Sequence, residues 1–530
     1  MGNKRNTKKN VAESKRSSIW CLPIVLAVAV VPLITVMKRY ITGLTQYAWF
    51  SDAMESTIDV FLYYKSYWMT VLAVLMVLML GYTFVSSKKQ KTDWSYLKCP
   101  EMICLAIYFV FSLASALFSQ FGDVAMFGGY EQWEGMNVIF AYVVLLFYVC
   151  YVADSDEVMR TILRAMIAGS AVVGAIGALQ YLHLDFFKTT LGQKYMSMML
   201  DETLSFSFNF PEGQSYSTLY NPNYVGTYVV LVMPILAMIV FCAWGELKMF
   251  WNILAVLSLC LNFVALVGSR SLTGMVGVFA CLVFVIIYEF PIILKKFGVK
   301  TIAATGGGIV ILCAVFVLVF PSQVKTMTDK LFHPNKDSHT IESMVSSKDG
   351  VKITTVDDQV LNLQISEEAG MSYMVSDGAG NMLELEKNSN DGGMMVKGKK
   401  EFSDIRFFAT TLKIGDQVQE SVMVQTRYNY KSWYICKVDG AYKLCNGAAK
   451  LDDLVAIPSS GFEDNQHFGD KRGYIWSRTI PLLKDYVVLG SGPNTFTEVY
   501  PNNDYVGMNN LNYYGMTITK PHNMYLQTWV

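Results

Sequence analysis

His522 is the best-placed general base in this chain of 530 residues. It follows Lys520-Pro521 and precedes Asn523, where a long polar stretch gives way to an apolar run. A neutral imidazole at such a boundary can take a proton from an acceptor hydroxyl. The plain alternative is a surface histidine at a helix start. Arg270 stands in Gly268-Ser-Arg-Ser271, a tight turn between two apolar runs. A charge at that depth is costly unless it pairs, so it either snorkels or holds an anion. The planar guanidinium fork suits phosphate oxygens, such as those of a lipid diphosphate at a membrane surface. Arg472 and Arg478 flank Gly-Tyr-Ile-Trp-Ser. Six residues apart, they do not share one helical face, so both are not expected to act. Lys520 is a further accessory cation, and Asn523 an accessory polar neighbour of the histidine.

Other chemistry has weaker support. No Walker A loop, zinc spacing or serine nucleophile elbow is present. Gly490-Ser-Gly-Pro493 reads as a turn that lets backbone approach something closely. Asp154-Ser-Asp156 has the spacing of a sugar-nucleotide metal motif, but its expected place on the cytoplasmic side favours a solvated loop. Asp52 and Glu55 are either a solvated loop or a metal pair, and the loop is favoured. No metal and no cofactor is therefore expected. Cys436 and Cys445 flank a hairpin around Asp439-Gly440. A cross-strand disulfide and two free thiols both fit that pattern.

The elements that must position these groups are mostly membrane helices. Hydrophobic residues make up 53% of the chain and charged ones only 16%, too apolar for an ordinary soluble domain. Nine stretches approach the length needed to cross a bilayer: 19–37, 66–85, 101–119, 137–153, 162–182, 223–244, 252–268, 272–289 and 301–320. The tail 1–18 holds six basic residues, and placing it in the cytoplasm puts Lys88, Lys89, Lys91, Lys98, Lys295, Lys296 and Lys300 inside as well. The first span is long and is followed by Lys38-Arg39 rather than small residues, so it reads as an anchor and not a cleaved signal. After nine crossings, residues 321–521 lie outside. That block divides into a connector, 321–339, a β-rich insert, 340–457, and a loop region, 458–521, with one short helix near Tyr474–Lys484. Residues 522–530 open a tenth apolar run too short to span, so the natural chain is expected to continue. Net charge is zero, and nothing points to nucleic acid.

Five motifs, in order, carry a resemblance. They are Leu219-Tyr-Asn-Pro-Asn-Tyr-Val-Gly226, Gly268-Ser-Arg-Ser271, Arg472-Gly-Tyr-Ile-Trp476, Leu489-Gly-Ser-Gly-Pro-Asn-Thr-Phe496 and His522-Asn-Met-Tyr-Leu526. Together with the large outside loop before the last one, they resemble the O-antigen ligase and polymerase superfamily. The resemblance covers about 100–320 and 470–530 and leaves the β-rich insert outside the pattern. It implies a mainly α, polytopic membrane helix bundle, GT-C-like, with an extracytoplasmic β-rich insert between transmembrane helices 9 and 10. It also implies an inverting, metal-independent glycosyltransferase at the outer face of the cytoplasmic membrane. The donor would be a glycan on undecaprenyl diphosphate, the acceptor a glycan, lipid or protein, and membrane lipids the surroundings. By the same resemblance His522 is the base, with Arg270 and Arg472 on the diphosphate. Tyr216, Tyr220, Trp476 and Tyr525 could stack on sugar rings, although an interfacial aromatic belt is favoured for most of them. The competing readings are a polysaccharide transporter or flippase, and a membrane-anchored carbohydrate-binding or sensor protein. The near absence of ionisable residues inside the spans counts against the transporter.

Overall fold

A computed structural model describes residues 19–52, 54–86, 95–153, 155–206, 208–241, 243–285, 287–288, 339–366, 373–428 and 430–530, with single positions at 298, 321 and 325. The tail 1–18, the ninth expected span at 301–320 and nearly all of the connector 321–339 lie outside the described residues. The chain forms two compact units. The first comprises Met1–Tyr40 and Ile58–Thr328, and the second Ile41–Thr57 and Asp329–Val530.

The first unit is helical. Its apolar helices are α1 (Leu22–Ala29), α2 (Tyr63–Ser86), α3 (Pro100–Phe118), α4 (Met136–Val152), α5 (Asp156–Tyr181), α6 (Pro222–Phe241), α7 (Met249–Ser269) and α8 (Leu272–Val285). Among the described residues five of these, α2, α3, α5, α6 and α7, are long and apolar enough to cross a membrane. Local chemistry marks their starts. Ser155 caps α5, with Asp156 and Glu157 in its first turn, where they complement the helix dipole. Pro100 and Pro222 each open a helix at a position that needs no N–H donor.

Small residues set the packing of α5 on α7. A Cβ on Gly174 would come within 2.9 Å of the Asn262 backbone nitrogen, so only glycine permits this approach. Closeness lets buried polar groups meet. The Ser170 and Ser258 hydroxyls lie 2.8 Å apart, and Asn262 donates to the Ser170 carbonyl at 3.0 Å. Basic residues enter two of these helices. Lys65 lies in the first turn of α2, and Arg164 in α5 has a buried Nε without a partner among the described residues.

The second unit is built on two antiparallel sheets. With strands numbered from β1 (Lys38–Ile41) and β2 (Ser56–Asp59), one sheet has the order β3-β4-β5-β6 and the other β13-β12-β11-β10-β9-β8-β7, where β8 is Met394–Val396 and β13 is Leu451–Asp452. The first spans Ile341–Ser347, Gly350–Thr355, Val360–Ile365 and Tyr373–Asp377. The second begins at β7 (Leu385–Lys387) and includes β9 (Ile405–Ile414), β10 (Gln417–Thr426), β11 (Ser432–Val438) and β12 (Ala441–Cys445). Strict alternation in β5, where Leu361, Leu363 and Ile365 are buried, turns one sheet face inward. Those residues meet Val422, Val424, Trp433 and Ile435 of the other sheet in one core, a sandwich. The Asp439-Gly440 turn has both residues at positive φ, as a two-residue hairpin requires.

Beyond the strands, the same core continues. Tyr505 and Val506 belong to it, the Trp433 indole donates to the Tyr505 carbonyl at 3.3 Å, and Asn510 donates to the Ile341 carbonyl at 2.9 Å. Residues 41–57 are also part of this unit. The Lys450 ammonium donates to the carbonyls of Thr45 and Phe50 at 3.1 and 3.0 Å.

The disulfide alternative for Cys436 and Cys445 is not realised. Both thiols are free and buried. Cys436 faces Lys443 and Cys445 faces Tyr434, so the two are diagonal neighbours rather than directly opposed. Diagonal positions are typically about 7–8 Å apart, beyond comfortable disulfide reach. Burial pushes the Cys436 thiol up to about 11, which keeps it protonated and unreactive.

Candidate functional site

A short helix and a proline carbonyl position His522. Helix α9 (Phe468–Thr479) opens on three successive residues in left-handed conformation, Gly469, Asp470 and Lys471, before it becomes regular. Arg472 and Trp476 then stand one turn apart on one helical face. The Trp476 indole donates to the Pro521 carbonyl at 2.7 Å, which holds the Lys520–His522 segment beside that face. On the other side, after the short helices α10 (Phe496–Val499) and α11 (Tyr505–Asn510), Asn523 caps helix α12 (Met524–Trp529), accepting from the Tyr525 and Leu526 amides at 2.9 and 3.3 Å. The far end of α12 is held too. The Val530 carbonyl accepts from the Ser491 amide and hydroxyl at 2.5 and 2.8 Å, and Ser491 is braced by Thr495 at 2.6 Å. The Gly490-Ser-Gly-Pro493 turn therefore meets the backbone of the helix that follows His522.

Electrostatics set the state of the imidazole. His522 is pushed down to about 4, first by desolvation and then by the positive charges of Lys520 and Arg472, with Asp470 opposing them. The residue is exposed to solvent. At neutral pH it is uncharged, and a neutral imidazole is the form that accepts a proton. Among the described residues the Arg472 guanidinium has no hydrogen bond or ion pair. The structure thus gathers His522, Arg472 and Lys520, and adds Asp470, which sequence reasoning missed. Its left-handed backbone brings it there, and residue types alone carry no signal of that.

Two expected accessory groups serve the fold instead. Arg478 is buried and bonds Asp504 at 3.0 Å, while its guanidinium lies 4.5 Å from the Tyr474 ring centre. The Tyr474 hydroxyl donates to the same carboxylate at 2.9 Å. Arg478 is committed to that triad and also donates to the Ser477 hydroxyl at 3.0 Å. The Asn523 side chain is likewise committed to its cap.

Arg270 belongs to the first unit. It is exposed, in left-handed conformation, and ends α7. The loop after α5 is laced to its turn. Ser215 N–H donates to the Gly268 carbonyl at 3.0 Å, Gln214 to the Ser269 carbonyl at 3.3 Å, and the Ser271 hydroxyl to Asn223 at 3.1 Å. The first two motifs are therefore joined within one unit. Farther along the same loop the Lys65 ammonium donates to the Thr218 carbonyl, with Asp59 close by. The Tyr220 hydroxyl bonds Glu131. Lys65 reads in the sequence as the flank of an apolar run, and only folding turns it toward the Leu219–Gly226 motif. His183 lies apart, on the rim of a cavity of about 110 Å³ shared with Asp185, Lys188 and Gln214.

Strained backbone accompanies the motifs. Tyr220, Arg270, Asn494 and His522 have positive φ values of 68°, 56°, 66° and 51°, one in each of four motifs, and Asp470 and Lys471 immediately precede the fifth. Each such non-glycine residue costs about 1–2 kcal/mol. Strain of this kind persists only where the surroundings enforce it, and it clusters at functional sites.

Asp52 is used locally, accepting from the Met54 amide at 2.9 Å. Among the described residues no group of three or more His, Cys, Asp or Glu side chains is placed to hold a metal ion. No protein-family model, curated protein or solved structure matches this chain.

Proposed function

We propose that the chain is a polytopic membrane glycosyltransferase of the O-antigen ligase type. It moves a glycan from undecaprenyl diphosphate to an acceptor hydroxyl on a glycan, lipid or protein, at the outer face of the cytoplasmic membrane. The observation that carries this reading is the neutral His522 held beside Arg472 and Lys520 by the Trp476–Pro521 hydrogen bond. That arrangement offers a base for a hydroxyl and cations for a departing diphosphate. Five helices of membrane-crossing length support the setting, since a polyprenyl donor must be met at the bilayer surface. The basic residues of the short loops support an N-terminus inside, with 321–521 outside.

In this mechanism His522 takes the acceptor proton as the oxygen attacks the anomeric carbon, and the diphosphate leaves with its electron pair. Base catalysis of this kind contributes about 10²–10⁴-fold. Arg472 and Lys520 meet the charge that develops on the leaving group, a separate contribution. Arg270, exposed at the end of α7, is proposed as a further cation for the donor's diphosphate. In-line attack inverts the anomer.

The test is transfer of a labelled glycan from its undecaprenyl diphosphate by the purified full chain in lipid. His522→Ala and Arg270→Ala should each abolish transfer while membrane insertion stays intact, and Arg472→Ala should lower it sharply. Full activity in any of these variants removes that residue from the mechanism.

A further inference from the structure

The charges around His522 present a difficulty for a base. From α9 Asp470 and Arg472 bear on it, and from the segment before it Lys520. Lys471, also of α9, is directed instead to the Tyr513 ring, 5.2 Å from its centre. Helix α12 adds no charged residue. The cations that bear on the ring therefore outnumber the single carboxylate, and an imidazole so placed resists protonation.

We propose that the donor's diphosphate, by pairing with Arg472 and Lys520, is what makes His522 an effective base, so that the site draws a proton only when loaded. This rests on the donor-binding reading above. Geometry supports it independently of titration. The Trp476–Pro521 bond fixes Lys520 and His522 on either side of one residue, and Arg472 shares the helical face of Trp476. Arg472 and Lys520 are the cations that bear on the ring, so an anion that pairs with them changes the field at the ring. Its negative charges reverse the sign of the local field and favour the imidazolium. Asp470 remains to face that imidazolium once the proton has moved. In the step itself the acceptor O–H bond breaks and its proton goes to His522. The new O–C bond forms, and the C–O bond to the diphosphate breaks with its electrons on the leaving group. An empty site holds only a weak base, so water is not activated in the absence of donor.

The experiment is a pH titration of ¹⁵N-histidine signals from the full chain in lipid nanodiscs. His522 is identified by the signal lost in His522→Asn. Farnesyl diphosphate is the probe, since it carries the diphosphate and no sugar to transfer. Without it the midpoint should lie near 4. With it the midpoint should rise toward the ordinary imidazole value of about 6.5. Arg472→Gln and Lys520→Gln should each raise the unliganded midpoint and shrink the rise on ligand binding, while the other four histidine signals report an intact fold. Bound probe, seen by ³¹P broadening, with an unmoved midpoint overturns the coupling and leaves the donor reading standing. An unmoved midpoint in both cation variants overturns it as well. Failure of the probe to bind overturns both readings.

Discussion

His522, Arg478 and Glu498 show how its neighbours set what an ionisable side chain does. His522 keeps its imidazole neutral beside two cations, whereas Arg478 is buried against Asp504 and Tyr474. Removing one partner of a buried pair leaves the other uncompensated, at a cost of about 3–5 kcal/mol. Arg478→Ala should therefore unfold the second unit at markedly lower denaturant. Arg472→Ala should leave that midpoint nearly unchanged, because its guanidinium has no such partner. Chemical denaturation of the two variants separates these roles. Glu498 is pushed up to about 7 by burial, and its Oε2 has no partner among the described residues. Folded protein then binds a proton that the unfolded chain releases near 4.5. The favourable contribution is complete below 4.5 and is lost as pH rises through 7. Glu498→Gln should raise the thermal midpoint at pH 8 and leave it unchanged at pH 4. For His522 the sign is opposite. The unfolded chain binds its proton near 6.5 and the folded one near 4, so acidification through that window costs stability. His522→Gln should flatten that part of the stability profile.

At the level of elements, the connection between α9 and α12 matters most. Trp476 holds one end of the Pro521–Val530 segment through one hydrogen bond to a backbone carbonyl, and Ser491 holds the other through two. Trp476→Phe keeps the ring and deletes the donor. It should reduce turnover more than donor affinity, since Arg472 stays in place while His522 loses its tether. Steady-state kinetics, with kcat separated from KM, read that outcome. The Asp439-Gly440 hairpin was legible in advance, a local signal satisfied within a few residues. The start of α5 was not: Asp154-Ser-Asp156 reads as a solvated loop, whereas Ser155 caps a helix that begins at Asp156. The run of left-handed residues at Gly469–Lys471 was not legible, because Asp and Lys adopt that backbone only under tertiary constraint.

For the whole molecule, the β-rich insert is structural. Separation of 340–457 from 458–521 is natural on composition, which predicts that deleting the insert leaves some activity. The shared core argues otherwise. Tyr505, Val506 and Asn510 pack on strands of the sandwich, and Lys450 holds residues 41–57. Deletion of 340–457 should therefore expose Tyr505 and Val506 and abolish folding of the second unit, measurable as rapid proteolysis between 458 and 530. By itself the sequence determined the apolar helices, the alternating strands and the polar groups worth testing, because each is written in residue type at short spacing. Tertiary structure alone decided which cations stand beside His522, that Arg478 is consumed by Asp504, and that the two cysteines are diagonal. Those outcomes depend on contacts between residues far apart in the chain, and periodicity carries no record of them.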